Sequence, residues 1–241
     1  MQRYFVDKVD GQIVFTKDDL HHLINVMRVR PHEQIELVVD NIPYIYEINS
    51  IRPFRITEIQ KNDFNPELAS SITLFYCLVK GDKLDLVLQK ATELGVSEIV
   101  LVQSKRSIVK IAQEDIKKKL ERFQSIVKAA AMQSKRLTIP TLNKIIDISS
   151  IDKSILKNHN FIAFEGEAGG TSSFKKEIEE MKLKDSVSVL VGPEGGFTLE
   201  EVKKMNSIGF KNVSLGRRIL RSETAAITIL SVLSFLIEAK Q

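Results

Sequence analysis

The chain of 241 residues has one cysteine, no continuous membrane-length apolar run and little net charge. A single thiol, Cys77, excludes an internal disulfide framework and a cluster of thiolate metal ligands. The first ten residues carry no apolar signal core. The longest apolar tract, residues 225–237, is interrupted by polar residues and is too short to cross a bilayer. We therefore expect a cytoplasmic protein with no membrane partner.

The net charge is small, because 35 Lys and Arg residues are nearly balanced by 31 Asp and Glu residues, which leaves a net charge of +4. So small an excess says little about nucleic acid, for which local clustering matters more. The adjacent residues His21 and His22 have no cysteine or further histidine on the same helical face, so we predict no metal site. The chain also lacks a dinucleotide fingerprint, a phosphate loop and internal repeats.

Residues 1–69 are predicted to form a small β-barrel of five short strands and one helix. The first two strands flank an Asp10-Gly11 turn, and the helix runs from Asp18 to Val29, before Pro31. The strands are predicted at residues 3–9, 13–16, 34–39, 44–51 and 54–60. Arginines spread over such a barrel fit contacts to an RNA backbone, and equally a solvated surface.

Residues 70–241 are predicted to form an α/β domain, after a polar linker that contains Pro66. The strands are predicted at residues 72–79, 97–102, 161–164, 187–191 and 213–215, and the helices at 82–95, 114–134, 174–181, 198–209 and 222–239. Alternation of this kind indicates a parallel sheet covered on both faces. Basic residues follow the ends of the first two strands, where such sheets bind ligands.

Two glycine-bearing turns near the end of the chain are the strongest functional signal. The first, residues 192–197, follows a buried strand and precedes a capping box made by Thr198 and Glu201. The second begins at Gly216 and precedes the last helix, for which we predict Ser222 as the N-cap. This second loop carries Arg217, Arg218 and Arg221 beside Glu223, which indicates an anionic partner.

Gly-Pro-Glu-Gly-Gly-Phe at 192–197, followed by Leu-Gly-Arg-Arg-Ile-Leu-Arg-Ser-Glu-Thr-Ala at 215–225, resembles the RsmE family. These SPOUT-class enzymes use S-adenosylmethionine to methylate N3 of a uridine in 16S ribosomal RNA. Supporting matches lie at residues 3–6, 21–22, 26–29, 80–83, 89–96, 106–107, 133–134, 136 and 139–140. The chain departs from the family at residues 129–132, where an acidic residue is expected, which weakens any claim for a catalytic carboxylate there.

The resemblance implies an α/β fold in which residues 70–241 form a SPOUT-type parallel sheet with a C-terminal trefoil knot. Residues 1–69 would form a PUA-like RNA-binding β-barrel. Knots are nearly absent from proteins, and periodicity alone would not have predicted one. The implied partners are 16S ribosomal RNA in the 30S subunit and a second copy of the chain. The last helix, apolar on nearly all sides, independently indicates a homodimer, or else burial within one monomer.

The resemblance also implies site residues. Arg221 would stabilise the developing uracil anion, and Glu223 would accept the N3 proton or fix Arg221, unless the two only brace the knot. Cofactor-binding residues are predicted to be Leu190, Val191, Gly192, Pro193, Gly195, Gly196, Leu215, Gly216, Ile219, Leu220 and Thr224. RNA-binding residues are predicted to be Arg3, Arg28, Lys80, Lys83, Arg106 and Arg218. A knotted ribose 2′-O-methyltransferase and a non-catalytic RNA-binding protein are the alternatives.

Overall fold

A computed structural model of the chain describes residues 1–164 and 170–241, and these divide into two compact units. The N-terminal unit comprises Met1–Glu67 together with Ala131–Thr138. The C-terminal unit comprises Leu68–Ala130 and Ile139–Gln241. The segment Ala131–Thr138 therefore belongs to the N-terminal unit, although it is distant in sequence from the rest of that unit.

The strands of the N-terminal unit form a four-stranded sheet and a separate hairpin, so the predicted barrel is built from two hydrogen-bonded sheets. The sheet has the order β1-β4-β5-β6, with β1 parallel to β4 and the other pairs antiparallel. The predicted first strand divides in two, and its second half pairs with β3 across the Asp10-Gly11 turn. The strands are β1 (Arg3–Phe5), β2 (Asp7–Val9), β3 (Gln12–Val14), β4 (Gln34–Val39), β5 (Ile42–Ile51) and β6 (Phe54–Lys61).

The helix of this unit, α1 (Lys17–His21), continues as a π-helical turn over His22–Val26. Thr16 is its N-cap, because the hydroxyl of Thr16 accepts a hydrogen bond from the amide of Asp19. The helix ends before the predicted Val29, since Arg28 has a φ of +52° and cannot continue it.

The C-terminal unit contains a six-stranded parallel sheet in the order β12-β10-β11-β7-β8-β9. The parallel sheet is thus confirmed. Its strands are β7 (Ile72–Cys77), β8 (Glu98–Gln103), β9 (Ile145–Asp147), β10 (His159–Ala163), β11 (Val187–Val191) and β12 (Lys211–Val213). The helices are α2 (Lys83–Glu93), α3 (Ile116–Gln133), α4 (Gly170–Glu180), α5 (Leu199–Ile208) and α6 (Ser222–Glu238). The chain leaves β7 for β8 on one side of the sheet, and it leaves β11 for β12 on the other side. The boundary between β7 and β11 is therefore a topological switch point, where open α/β sheets bind ligands.

Both faces of this sheet are buried, as the near-continuous apolar strands predict. Along β11, Val189 belongs to the core that includes α2 and α6, whereas Leu190 belongs to the core that includes α5. Cys77 is fully buried in the second of these cores, as expected for a small apolar side chain. Burial raises the pKa of its thiol.

Several predicted boundaries shift. The strand predicted at residues 213–215 ends at Val213, because the hydroxyl of Ser214 turns to bond the amide and carbonyl of Gly216. Asp82 occupies the N-cap position of α2, but its side chain makes no capping bond. The short edge strand β9 was not predicted. No helix in the described ranges has the length and apolarity needed to span a membrane.

Candidate active site

A cavity of about 710 Å³ lies beyond the carboxyl ends of β10, β11 and β12 in the C-terminal unit. The last residues of the three strands, Ala163, Val191 and Val213, are part of its wall. The two glycine-bearing loops supply most of the remainder. They contribute residues 192–197 and residues 214–221, and Lys83, Arg106, Phe164, Leu199, Ser222 and Ala225 complete the lining.

The first loop folds tightly over its own phenylalanine. Gly196 has a φ of +65°, and its amide donates a hydrogen bond of 2.9 Å to the carbonyl of Pro193. A Cβ atom on Gly192 would come within 3.0 Å of the buried ring of Phe197. Glycine at position 192 therefore allows the aromatic ring to pack against the strand exit.

The predicted capping box after this loop is confirmed. Thr198 and Glu201 exchange both hydrogen bonds at the start of α5. The Glu201 carboxylate is buried and also accepts a bond of 2.8 Å from the amide of Lys105. Arg106 donates to the carbonyl oxygen of Gly195 at 2.9 Å. The loop after β8 is thereby held against the first glycine loop.

In the second loop, several backbone amides have no hydrogen-bond acceptor among the described residues. Gly216 has a φ of +130°, which is accessible to glycine, and the chain then turns without regular structure until α6. Within residues 1–164 and 170–241, the amides of residues 217–220 donate no hydrogen bond to protein. Such groups require water or a ligand as a partner. The side chain of Ile219 is 81% exposed at the rim of the cavity.

The N-cap predicted for the last helix is wrong. Arg221 occupies the N-cap position without a side-chain bond, and Ser222 is the first helical residue. The hydroxyl of Ser222 lies 2.5 Å from the carbonyl oxygen of Gly192 and 3.1 Å from the hydroxyl of Tyr76. The Ser222 side chain therefore turns into the core and does not cap its own helix.

Lys83 and Glu194 line the cavity, and Glu223 lies beside Lys83 without being part of the cavity wall. The Nζ atom of Lys83 is 3.3 Å from Oε1 of Glu194 and 3.8 Å from Oε2 of Glu223. That Oε2 atom is buried and has no hydrogen-bond partner in the described chain. Burial alone would raise the pKa of Glu194, but hydrogen bonds from its own amide, the amide of Lys80 and the ammonium group of Lys83 lower it on balance.

Arg221 and Glu223, the two predicted catalytic residues, do not pair with each other. Arg221 is exposed and lines the cavity, and within the described residues its guanidinium has no carboxylate partner. Glu223 faces Lys83 instead. The described residues thus lack the Arg221–Glu223 ion pair that the alternative of a pair bracing the knot requires.

The structure brings together nine of the eleven residues predicted to bind a cofactor. Those that line the cavity are Val191, Gly192, Pro193, Gly195, Gly196, Leu215, Gly216, Ile219 and Leu220. Leu190 lies in the core on the other side of the sheet, because alternate residues of a strand face opposite ways. Thr224 is exposed on α6 and is not part of the cavity wall. Sequence reasoning missed Phe164, although its place at the carboxyl end of the predicted strand 161–164 was a usable signal.

The residues predicted to bind RNA divide into three groups. Lys83, Arg106 and Arg218 line the cavity, and Lys80 is exposed beside it on the same unit. Arg28 is exposed on the N-terminal unit.

The prediction for the remaining residue, Arg3, is wrong. Arg3 is only 2% exposed, and its guanidinium pairs with Glu36 at 2.7 Å and donates to the carbonyls of Lys135 and Arg136. Its donors are occupied inside the N-terminal unit, so they are not available to a phosphate.

Comparison with known proteins shows which class of protein has this architecture. The sequence model of an RNA methyltransferase domain matches residues 66–234, and that of an RNA methyltransferase PUA domain matches residues 15–59. The cavity lies within the first of these regions. The chain is thus built as an RNA methyltransferase with a PUA domain.

Full-length relatives narrow the class to one family. The ribosomal RNA small subunit methyltransferase E of Bacillus subtilis is 33% identical over 98% of this chain and 96% of its own length. That of Mesomycoplasma hyopneumoniae is 32% identical, over 96% and 98%. A crystal structure of the Neisseria gonorrhoeae protein bound to S-adenosyl methionine matches with a TM-score of 0.84 and 30% identity, covering 98% of both chains. The chain belongs to the RsmE family of ribosomal RNA methyltransferases.

Proposed function

We propose that this chain transfers a methyl group from S-adenosylmethionine to N3 of a uracil in 16S ribosomal RNA of the small ribosomal subunit. One observation carries the proposal. The two glycine loops enclose one cavity, and in its wall lies the guanidinium of Arg221, which has no carboxylate partner in the part of the chain that the structure describes. A methyl-donor pocket and a group able to stabilise an anionic nucleobase are therefore side by side.

The residues present fit the methyl donor. A volume of about 710 Å³ lies within the range of small-molecule sites. The free amides of residues 217–220 offer donors to a nucleoside or a carboxylate, and Leu220 and Phe197 offer apolar surface. When bound, S-adenosylmethionine supplies an activated methyl group on a sulfonium. The task left to the protein is alignment and exclusion of water.

The acceptor nitrogen must be deprotonated during the reaction, because N3 of uracil carries a proton. In the proposed mechanism Arg221 stabilises the negative charge that develops on the ring as that proton leaves. Glu223 accepts the proton, since within residues 1–164 and 170–241 its buried Oε2 atom has no hydrogen bond to give up, and the Lys83 ammonium lies 3.8 Å from it. N3 lies on the pairing edge of the base, so the uracil must be unpaired or flipped out when it reacts.

The larger assembly is also a proposal. We infer that the PUA region of the N-terminal unit and the basic residues at the cavity hold the RNA, and that two copies of the chain form the working enzyme. We further infer that residues near the two loops form the trefoil knot typical of the SPOUT class. These inferences are supported by the family relationship and, for the dimer, by the apolar outer face of α6.

The proposal is tested by incubating the protein with S-adenosylmethionine and 30S subunits from a strain that lacks the modification. The methylated RNA is then digested to nucleosides. We expect 3-methyluridine as the product. A ribose-methylated nucleoside would support the 2′-O-methyltransferase instead. Absence of transfer, together with no binding of the donor at millimolar concentration, would support a non-catalytic RNA-binding protein.

A further inference from the structure

One hydroxyl group, that of Ser222, joins the two loops that form the cavity. Its oxygen lies 2.5 Å from the carbonyl oxygen of Gly192, the first residue of the first loop. Ser222 itself follows the last residue of the second loop. The same oxygen lies 3.1 Å from the hydroxyl of Tyr76 on β7. Three segments remote in sequence therefore meet at one atom.

The direction of these hydrogen bonds follows from chemistry. A carbonyl oxygen only accepts, so the single hydroxyl proton of Ser222 is committed to Gly192. The hydroxyl of Tyr76 must then donate to Ser222. Tyr76 is fully buried, and burial raises the pKa of its hydroxyl, an effect that the charges of Glu223 and Glu194 reinforce. Tyr76 therefore remains a neutral donor across the physiological range.

A purely local role does not account for this arrangement. Ser222 does not cap its own helix, since the N-cap position belongs to Arg221 and no side chain bonds the first turn. Its side chain is instead turned away from the helix towards the carbonyl of Gly192, which lines the cavity. Gly192 cannot easily shift in compensation, because the ring of Phe197 packs closely against it.

We propose that Ser222 and Tyr76 are positioning residues that fix the separation of the two glycine loops, and thereby the affinity for the methyl donor. They act through the carbonyl of Gly192, and Tyr76 is not part of the cavity wall. The inference rests on the proposed function, because it takes the cavity to be the methyl-donor site. It adds two residues, both outside the two loops, to those that determine the site.

The test compares Ser222→Ala, Tyr76→Phe and the double variant by calorimetric titration with S-adenosylmethionine. Tyr76→Phe removes one hydrogen bond and Ser222→Ala removes two, and both changes nearly keep the shape of the core. We expect each to weaken donor binding about 10-fold, which corresponds to a buried hydrogen bond. The double variant should be little worse than Ser222→Ala, because both residues act along one chain of bonds. Ser222→Thr, which keeps the hydroxyl, should restore most of the affinity.

The matched control is Ser234→Ala, at a serine on the same helix that is 8% exposed, against 7% for Ser222, and does not line the cavity. It should bind the donor as the wild type does. In steady-state assays, Ser222→Ala should raise KM for the donor while kcat and KM for RNA stay within about twofold. A residue that only stabilised the fold would lower Tm without this selective change.

The outcomes separate this inference from the proposed function. A wild-type protein that binds the donor, alongside Ser222→Ala and Tyr76→Phe proteins that bind it equally well, would overturn the positioning role alone. Strictly additive losses in the double variant would contradict the shared chain of bonds. A folded wild type that binds no donor would contradict the proposed function, and this inference with it.

Discussion

At the scale of single residues, Arg221 differs from the arginines that acids hold in place. It is exposed at the cavity and has no carboxylate partner in the described residues, whereas Arg3, Arg122 and Arg136 are paired with acids. An unpaired guanidinium keeps its full charge available to an incoming anion. This is the property that stabilisation of a uracil anion requires.

Replacing Arg221 should therefore impair turnover more than donor binding. We expect Arg221→Ala to lower kcat about 100-fold, because one oriented electrostatic contact to the transition state is lost. The affinity for S-adenosylmethionine should stay within about twofold. Arg221→Lys should recover part of the rate, since it keeps the charge without the planar fork. Methyl transfer to 30S subunits and calorimetric titration measure the two quantities.

A suitable control is Arg122→Ala, which removes an exposed arginine that pairs with Asp85 and does not line the cavity. It should turn over at the wild-type rate. Full activity in Arg221→Ala would show that the proposed electrostatic role belongs to another group.

Residue-level prediction failed where the partner of a side chain lies far away in sequence. Arg3 is basic and close to the start of the chain, features typical of a surface residue. Its partners, Glu36 and the carbonyls of Lys135 and Arg136, lie 33, 132 and 133 residues away. Ser222 was assigned as a cap because it precedes an apolar helix, whereas its partner Gly192 is 30 residues away. Local pattern contains no information about such contacts.

At the scale of elements, the segment Ala131–Thr138 completes the N-terminal unit. Arg3 and Lys135 both bond the carboxylate of Glu36, which is almost fully buried. Arg136 pairs with Glu67 of the same unit at 2.6 Å. These ion pairs hold a segment from the end of α3 beside β1 and β4. The N-terminal unit is therefore not contained in its first 67 residues alone.

This cluster predicts a specific dependence of stability on pH. Burial alone would raise the pKa of Glu36, but Arg3 and Lys135 lower it to about 2, from an ordinary value of 4.5. A group whose pKa is lower in the folded state stabilises the fold above its unfolded pKa. The contribution is lost as the pH falls from about 4.5 towards 2.

We expect Glu36→Gln to lower the free energy of unfolding by roughly 3 kcal/mol at pH 7. The difference from the wild type should shrink as the pH falls from 4.5 to 2. Urea titrations at a series of pH values measure this directly. Glu47→Gln removes a carboxylate that pairs with exposed His32, and it should cost less than about 1 kcal/mol. Parallel pH curves for Glu36→Gln and the wild type would contradict this account.

The elements most easily predicted are those with local chemical signals. The strand β11 and the capping box of α5 match their predictions, because an apolar run and a Thr-x-x-Glu pattern act over a few residues. The strand β9 was missed because it has three residues and is paired along one edge of the sheet only. The glycine loops in the sequence predicted where the cavity lies. The hydrogen bond from Ser222 to Gly192, which joins the two loops, was not predicted.

At the scale of the whole molecule, the outer face of α6 remains apolar. One face of this helix is buried in the core of the C-terminal unit, but Phe235 is 70% exposed and Val232 and Leu236 are only partly buried. Exposure of a large aromatic ring on a long helix is typical of an interface. This supports the homodimer that the family relationship also implies, and the trefoil knot likewise stays a prediction.

The expected dimer depends on this face. Phe235→Asp should convert the protein to a monomer, since a charge would be buried without a partner in the interface. Sedimentation equilibrium measures the mass. The control is Phe64→Asp, at a phenylalanine that is 59% exposed and lies on the N-terminal unit. It should leave the dimer intact. A wild type that sediments as a monomer, or a Phe235→Asp protein that remains dimeric, would refute this assignment.

The account as a whole depends on what occupies the cavity between the two glycine loops. The most direct measurement is a crystal structure of the protein with S-adenosylmethionine. We predict that the donor lies between residues 192–197 and residues 215–221, in contact with the free amides of the second loop. A donor bound at any other place on the chain would contradict the account.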